Sequence, residues 1–237
     1  MFPPPKARNP AINAINATAK MTINPRGTAS LSVASCLGTG ALPRNPDPFT
    51  VMTAICVFCG SSFGAKPLYR AQARALGSSI GRRGWSMVFG GGGNGLMGET
   101  ARAAHDAGAK VLGVLPDFLR RIEAPLEDDS EDLVIVPDMQ IRKQKMLAAA
   151  DAFVILPGGL GTLDEIFEVL STAQLKVHAK PIVVVDTDGF YAPLWRLLDR
   201  LVAEGFAREV NALFHVVATP EAALDRVAAL LGDAARQ

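Results

Sequence analysis

Apolar and polar residues alternate in two distinct ways along the chain from Ala54 onward. Short runs rich in β-branched and other apolar residues are separated by longer segments whose apolar residues recur with helical spacing. This alternation is typical of βαβ units, and runs that are apolar throughout favour strands buried on both faces. The pattern therefore predicts an α/β fold: a doubly wound, mostly parallel, Rossmann-like sheet of six or seven strands with helices on both faces.

The same pattern gives bounds for the elements. Strands are predicted at 54–58, 86–89, 110–115, 133–136, 152–156, 181–185 and 214–218. Helices are predicted at 67–83, 96–107, 138–150, 162–175, 191–204 and 220–231. Strands and helices thus alternate along the whole predicted domain.

Residues 1–52 differ from the rest of the chain. They are rich in Pro, Asn, Ala, Thr and Ser and show neither the strand nor the helix periodicity of apolar residues, so they cannot bury enough surface to offset chain entropy. We interpret them as a disordered extension and residues 53–237 as a single nucleotide-binding domain. Organelle targeting is one alternative for the extension, and a start-site artefact is another because Met52 directly precedes the first strand.

Charge and hydropathy exclude two classes of partner. The net charge is +1, and the basic excess lies in the first 52 residues, so the predicted domain is mildly acidic and lacks the basic face of a nucleic-acid-binding protein. The longest apolar runs fall far short of the roughly 18 residues that cross a bilayer. We therefore expect no nucleic acid and no membrane as partners, and a cytoplasmic location.

Cysteine and histidine spacing argues against a metal or redox centre. Cys56 and Cys59 form a C-x-x-C, but residues three apart on a strand face opposite sides of the sheet. Buried, unreactive thiols in a reducing compartment are the favoured interpretation. The three histidines show no metal-ligand spacing.

Three loops that follow predicted strands carry the candidate chemistry: 59–62, 90–98 and 157–162. Ligands of doubly wound sheets bind outside the carboxyl ends of the strands. Glycine in these loops opens backbone N–H groups to an anion, and a helix that starts there adds its dipole. A phosphate is the expected ligand.

The middle loop allows other interpretations. Gly93–Gly98 fits G-x-G-x-x-G, with Asp117 about twenty residues further on, as in dinucleotide-binding proteins. However, this loop follows the second strand, Asp117 lies beyond a strand end, and the loop after the fifth strand is equally rich in glycine. Tight-turn packing without a ligand is a further alternative.

Two candidate residue pairs also have structural alternatives. Thr162 and Glu165 have the spacing of a capping box, although the preceding Pro-Gly-Gly places open backbone where Glu165 would meet a ligand. Arg142 and Lys143 lie near the start of a helix that Asp138 is expected to cap, where such a pair is commonly a solvated surface feature.

Taken together, these motifs resemble the Lonely Guy family of phosphoribohydrolases, which are often mislabelled as lysine decarboxylases. The resemblance covers about residues 54–206. It rests on four motifs in order: Cys59-Gly60-Ser61-Ser62, the glycine-rich run Gly90–Gly98, Met139-x-x-Arg142-Lys143, and Pro-Gly-Gly-x-Gly-Thr-x-x-Glu at 157–165.

The resemblance implies a hydrolase that cleaves the N-glycosidic bond of AMP or N6-modified AMP, a cytokinin riboside 5′-monophosphate, to free base and ribose 5-phosphate. Arg142 and Glu165 would be catalytic. The implied phosphate- and nucleotide-binding residues are Gly60, Ser61, Gly91, Gly92, Gly95, Met139, Lys143, Gly158, Gly159, Gly161 and Thr162. The resemblance implies neither a metal nor an organic cofactor. It does imply a homodimer or a higher homo-oligomer.

Two other functions remain open at this stage. A pyridoxal-phosphate decarboxylase would need a Schiff-base lysine, and Lys176 and Lys180 lie away from the glycine-rich loops. A non-catalytic carrier of the same fold could hold a nucleotide or a pterin-type cofactor.

Deleting residues 1–51 tests the domain assignment. Because their composition gives them no core to join, the shortened protein should keep its melting temperature and its turnover. Limited proteolysis of the full chain should remove this segment first. Loss of solubility or activity on deletion would show that the segment packs against the domain.

Overall fold

The computed structural model describes residues 52–121 and 132–234. The predicted disordered extension therefore lies outside the described residues, except for Met52. Within the described ranges, no helix is both long and apolar enough to cross a bilayer.

Within the described ranges, seven parallel strands form one sheet, which confirms the predicted architecture. They are β1 (Ala54–Phe58), β2 (Ser86–Phe89), β3 (Val111–Pro116), β4 (Leu133–Val136), β5 (Ala152–Ile155), β6 (Ile182–Val185) and β7 (His215–Val217). Their order across the sheet is β4-β3-β2-β1-β5-β6-β7, and every recorded pairing is parallel. Each predicted strand boundary agrees to within one residue.

In the part of the chain that the structure describes, six α-helices cover the sheet: α1 (Pro67–Arg82), α2 (Gly95–Asp106), α3 (Met139–Ala149), α4 (Leu160–Gln174), α5 (Ala192–Ala203) and α6 (Pro220–Ala234). Buried side chains of α1, α2 and α6 pack on one face, and those of α3, α4 and α5 pack on the other. Asp138 caps α3 as predicted, because its carboxylate accepts a hydrogen bond from the Ile141 N–H at 2.9 Å. Helix α4 begins two residues earlier than the sequence pattern predicts.

The strand order places a topological switch between β1 and β5. The chain runs outward from β1 to β4 on one side and returns to β5 on the other, so the loops after β1 and β5 leave in opposite directions and open a crevice. The two loops also touch, since the Gly60 N–H donates to the Pro157 carbonyl at 3.1 Å. The fold thus brings two of the three glycine-rich loops together.

The two thiols of the C-x-x-C face opposite sides of the sheet, as predicted. Cys56 packs beneath α3–α5, whereas Cys59, one residue beyond the end of β1, packs beneath α1 and α2. Both are free and buried. Burial raises the pKa of each thiol, and the nearby Glu165 carboxylate raises it further. Neither sulfur has the low pKa of a reactive thiol.

Close packing of α1 on α2 depends on missing side chains. A Cβ added at Gly77 would lie 2.1 Å from the Thr100 carbonyl oxygen, and one added at Gly81 would lie 2.5 Å from the Ala107 Cβ. Helix α2 and the residue after it therefore approach α1 most closely at Gly77 and Gly81, where a side chain would not fit.

Gly77→Ala tests this packing, because helix propensity and steric overlap predict opposite changes in the free energy of unfolding. Helix propensity alone would make the change stabilising by roughly 0.5–1 kcal/mol. Because the new methyl group overlaps backbone of α2, we expect instead a loss of about 1–3 kcal/mol in the free energy of unfolding. Urea denaturation measures this, and a gain in stability would contradict the packing described.

Candidate active site

A cavity of about 150 Å³ lies at the switch point, at the carboxyl ends of the central strands. Its walls come from the loops after β1, β2 and β5 and from helices α2, α3 and α4. Seven of the predicted site residues line it: Gly60, Ser61, Arg142, Gly159, Gly161, Thr162 and Glu165. The topology thus brings together residues as far apart in the sequence as Gly60 and Glu165.

Helix α4 begins at Leu160, and Gly159 is its N-cap without a side-chain hydrogen bond. The capping-box interpretation of Thr162 and Glu165 is therefore wrong. Thr162 is the third residue of the helix and Glu165 is the sixth, so Glu165 does not reach back to the cap. The reason is that Gly159 adopts the extended conformation of a cap and lets the helix start before the threonine.

The start of α4 offers unused backbone donors to the cavity. The first N–H groups of any helix lack an intrahelical acceptor, and here no side chain caps them. Gly159 and Gly161 are exposed, and a Cβ at either would meet nothing within 4 Å. Open backbone at the positive end of a helix dipole is suited to a phosphate.

The start of α2 is different, although it carries the G-x-G-x-x-G pattern. Its first donors are already used, since the Leu96 and Met97 N–H groups donate to the Ser62 and Gly60 carbonyls at 3.4 and 3.1 Å. Gly95 has a φ of 60°, and a Cβ there would lie 2.2 Å from the Ser61 carbonyl carbon. The pattern therefore packs two loops together, which disfavours a dinucleotide phosphate at this helix.

Arg142 is a buried cation that backbone holds in place. Its side chain is 8% exposed, its Nε donates to the Val114 carbonyl at 3.3 Å, and its Nη2 donates to the Gly90 carbonyl at 3.4 Å. These carbonyls lie within β3 and directly after β2. The surface-pair interpretation is therefore wrong for Arg142.

Glu165 lies beside this guanidinium, and both side chains line the cavity. Its Oε1 lies 3.5 Å from Nη1 of Arg142, and its side chain is 9% exposed. The Met139 sulfur lies 3.9 Å from the same Nη1. A carboxylate and a guanidinium are thus held together beside the open start of α4, where they can act on a bound phosphorylated molecule.

Lys143 faces away from the cavity lining. Its Nζ lies 3.2 Å from both the Asp164 and Glu168 carboxylates. Burial acts to lower the pKa of Lys143, but the hydrogen bonds to Asp164 and Glu168 outweigh burial, so the pKa lies above its usual value. In this structure Lys143 ties α3 to α4, and its contact with a nucleotide stays a prediction.

The remaining predicted residues border the cavity without lining it. Gly158 packs against Thr162, since a Cβ there would lie 2.1 Å from the Thr162 Oγ1, and the buried Gly91 and Gly92 support the loop after β2. Five further residues line the cavity and were not predicted from the sequence: Val57, Cys59, Gly90, Met97 and Leu160. Four of them lie within the predicted motifs, so membership of a motif could have identified those four as site residues.

The lysines required by the decarboxylase alternative lie elsewhere. Lys176 follows the end of α4, and the Lys180 Nζ donates to the Leu147 carbonyl at 2.6 Å. Neither lines the cavity at the switch point. Within the described ranges, no three His, Cys, Asp or Glu side chains are grouped so as to hold a metal ion.

Fold and site together define an α/β protein whose switch-point cavity combines an open helix start with a buried Arg–Glu pair. Residues 97–227 match the family described as possible lysine decarboxylase. The cytokinin riboside 5′-monophosphate phosphoribohydrolase LOG of Oryza sativa subsp. japonica is 44% identical over 168 residues, which cover 71% of this chain and 69% of that protein. LOG4 of Arabidopsis thaliana is also 44% identical over 168 residues, which cover 71% of this chain and 77% of that protein. The chain belongs to this phosphoribohydrolase family, and the resemblance inferred from its motifs is confirmed.

Solved structures support the fold. The molybdenum cofactor binding protein of Rippkaea orientalis aligns with a TM-score of 0.60 at 21% identity, covering 77% of this chain and 99% of that one. The Moco Carrier Protein of Chlamydomonas reinhardtii aligns with a TM-score of 0.59 at 23% identity, covering 77% of this chain and 99% of that one. At these identities the similarity shows a shared fold alone.

Gly90→Ala tests how Arg142 is positioned. A Cβ at this position would lie 1.8 Å from the Arg142 Nη2, so the guanidinium must move. Because displacements on the order of 1 Å can cost about a hundredfold in rate, we expect kcat to fall by roughly tenfold or more. A thermal melt near that of the wild type would show that the fold is retained, and wild-type kcat in this variant would contradict the positioning role.

Proposed function

We propose that the chain hydrolyses the N-glycosidic bond of a nucleoside 5′-monophosphate and releases the free base and ribose 5-phosphate. The observation that carries the proposal is the buried Arg142–Glu165 pair beside the unused donors at the start of α4. The plant relatives named as cytokinin riboside 5′-monophosphate phosphoribohydrolases support it. AMP and N6-modified AMP are the proposed substrates.

The phosphate is the anchor of the proposed complex. The N–H groups at the start of α4 and the open backbone at Gly159 and Gly161 hold it, and Thr162 lies buried in the first turn. Gly60 and Ser61 form the opposite wall. A phosphate fixed at this point leaves the ribose beside Arg142 and Glu165, since all these residues line one small cavity.

Cleavage requires the C1′–N bond to break with its electron pair leaving on the base, while water adds to C1′ and loses a proton. Positive charge builds on the sugar in the transition state, which a carboxylate stabilises. Glu165 supplies that carboxylate and can also orient the water or accept its proton. Arg142 places fixed positive charge against the ribose hydroxyls, the phosphate or the departing base.

A carrier without catalysis fits the site less well. A pure binder of an anionic ligand gains nothing from a buried carboxylate next to the phosphate-binding backbone, because like charges repel. The carriers among the solved structures share the fold at 21–23% identity, which assigns no ligand to this chain. Release of free base from a nucleotide would decide against a carrier, and intact ligand would decide for one.

Oligomeric state and location are further proposals. Leu160 and Phe167 of α4 and Leu175 directly after it are 86%, 40% and 75% exposed. Exposed large apolar side chains of this kind support the homodimer or higher homo-oligomer proposed from the sequence. The proposed location is the cytoplasm.

Substrate charge provides a direct test. If the start of α4 binds the 5′-phosphate, adenosine should be a poor substrate compared with AMP, because it lacks the dianion. Leu160→Pro sharpens the test, since proline is tolerated at the first helical position but removes one backbone N–H. We expect this variant to raise KM for AMP, with Leu160→Ala as the matched control. Similar kcat/KM for AMP and adenosine would refute the assignment.

Glu165→Gln tests the catalytic carboxylate. The amide keeps the size of the side chain and can still accept a hydrogen bond from Arg142, so binding of AMP should persist. Loss of the charge should lower kcat by roughly 10²-fold or more, or about 2.7 kcal/mol in the activation free energy. Chromatography of the released base measures this effect.

The matched control is Glu168→Gln on the same helix. Glu168 pairs with Lys143 outside the cavity, so this variant should retain turnover. Because Arg142 keeps both backbone acceptors, Glu165→Gln should remain folded, which a thermal melt checks. Base release at near wild-type rate would leave the hydrolase without its catalytic carboxylate.

A further inference from the structure

A second cavity, of about 420 Å³, lies between α1 and α2 and shares no lining residue with the candidate active site. Arg70, Arg74, Ser78 and Arg82 follow one another at intervals of four along α1 and form one side. Glu99, Arg102, Ala103 and Asp106 of α2 form the other side, with Ala107 at its end. Its volume is within the range of small-molecule sites.

Two of these arginines are held in place by one buried carboxylate. Nε and Nη2 of Arg70 both lie 3.0 Å from the Glu99 Oε2, and Nε and Nη2 of Arg74 lie 2.7 and 2.6 Å from Oε1. Glu99 is 5% exposed, whereas the two arginine side chains are 54% and 66% exposed. Each guanidinium therefore has one edge fixed on the carboxylate and leaves its Nη1 group for another acceptor.

The positive charge of this cleft exceeds what holding two helices together requires. One carboxylate neutralises only one of the two guanidinium groups attached to it. Arg82 donates to the Ser79 hydroxyl and Arg102 donates to the Gly93 carbonyl, and both acceptors are neutral. Asp106 is the other acid of the cleft, and its side chain is 81% exposed. A clamp between α1 and α2 explains Arg70, Arg74 and Glu99, but it does not explain Arg82 and Arg102.

We propose that the cleft between α1 and α2 is a second anion site, separate from the candidate active site, that binds a diphosphate group. Arginine forks suit phosphate oxygens, and Glu99 orders two of them in advance, which lowers the entropy lost on binding. Arg70 and Arg74 are one turn apart, or about 6 Å along α1 at 1.5 Å per residue. That spacing lets neighbouring arginine forks each contact one of two linked phosphates, either free or carried on a nucleoside.

Calorimetric titration with inorganic pyrophosphate at low ionic strength tests the proposal. Arg102→Gln leaves both partners of Glu99 intact and so avoids disturbing the fold. We expect this variant, and Arg74→Gln, to raise the dissociation constant for pyrophosphate by roughly tenfold or more. Arg200→Gln removes an exposed arginine from α5 and should leave the affinity unchanged. Turnover of AMP without pyrophosphate should be the same in all three variants.

Further arms identify the ligand and the site. Sulfate should bind roughly tenfold more weakly than pyrophosphate, and ADP in place of pyrophosphate distinguishes a nucleoside diphosphate from the free ion. Leu160→Pro shows whether any of the heat comes from the start of α4. Unchanged affinity in Arg102→Gln and Arg74→Gln, an equal loss in Arg200→Gln, equal affinity for sulfate, or no binding to the wild type would each overturn the proposal.

Discussion

The Arg142 guanidinium lies buried among the carboxyl ends of β2 and β3, with the Val114 and Gly90 carbonyls as acceptors and Glu165 as its charged neighbour. A buried charge without partners costs several kcal/mol. Its position explains why residue 90 has no side chain, because any Cβ would occupy the place of Nη2. The pair also links α3 to α4, the two helices that flank the cavity, alongside the ion pairs of Lys143 with Asp164 and Glu168.

The switch between β1 and β5 gives this contact access to a ligand. In a sheet wound in one direction, the loops after adjacent strands pack on one side. Here they part, and the Gly60–Pro157 hydrogen bond bridges them. The start of α4 is therefore open, and no side chain caps it. The backbone donors at the start of α2 are used by the loop after β1.

The two glycine-rich helix starts show how similar sequence features acquire different roles. Gly95 allows α2 to dock onto the loop at Ser61, and this docking uses its donors. Gly159 and Gly161 touch nothing in this way. Both starts have the composition of a phosphate loop, but only the start of α4 has open space in front of it. The arginines of the cleft between α1 and α2 are likewise separated in sequence from the Glu99 that orders them.

The sequence alone determined the strand and helix pattern, the parallel sheet and the four motifs of the site, because periodicity and glycine placement are local properties. It also placed Arg142 and Glu165 in the candidate site through the family resemblance. The tertiary structure decided the rest. Helix α4 starts at Leu160 instead of Thr162 because Gly159 takes the cap position, so Glu165 is released from a capping role. Lys143 turns toward Asp164 and Glu168, which lie on a neighbouring helix that no local pattern could place beside it. The charge pairing at Glu99 depends in the same way on the crossing of two helices, which is set by glycines whose contacts exist only in the folded chain.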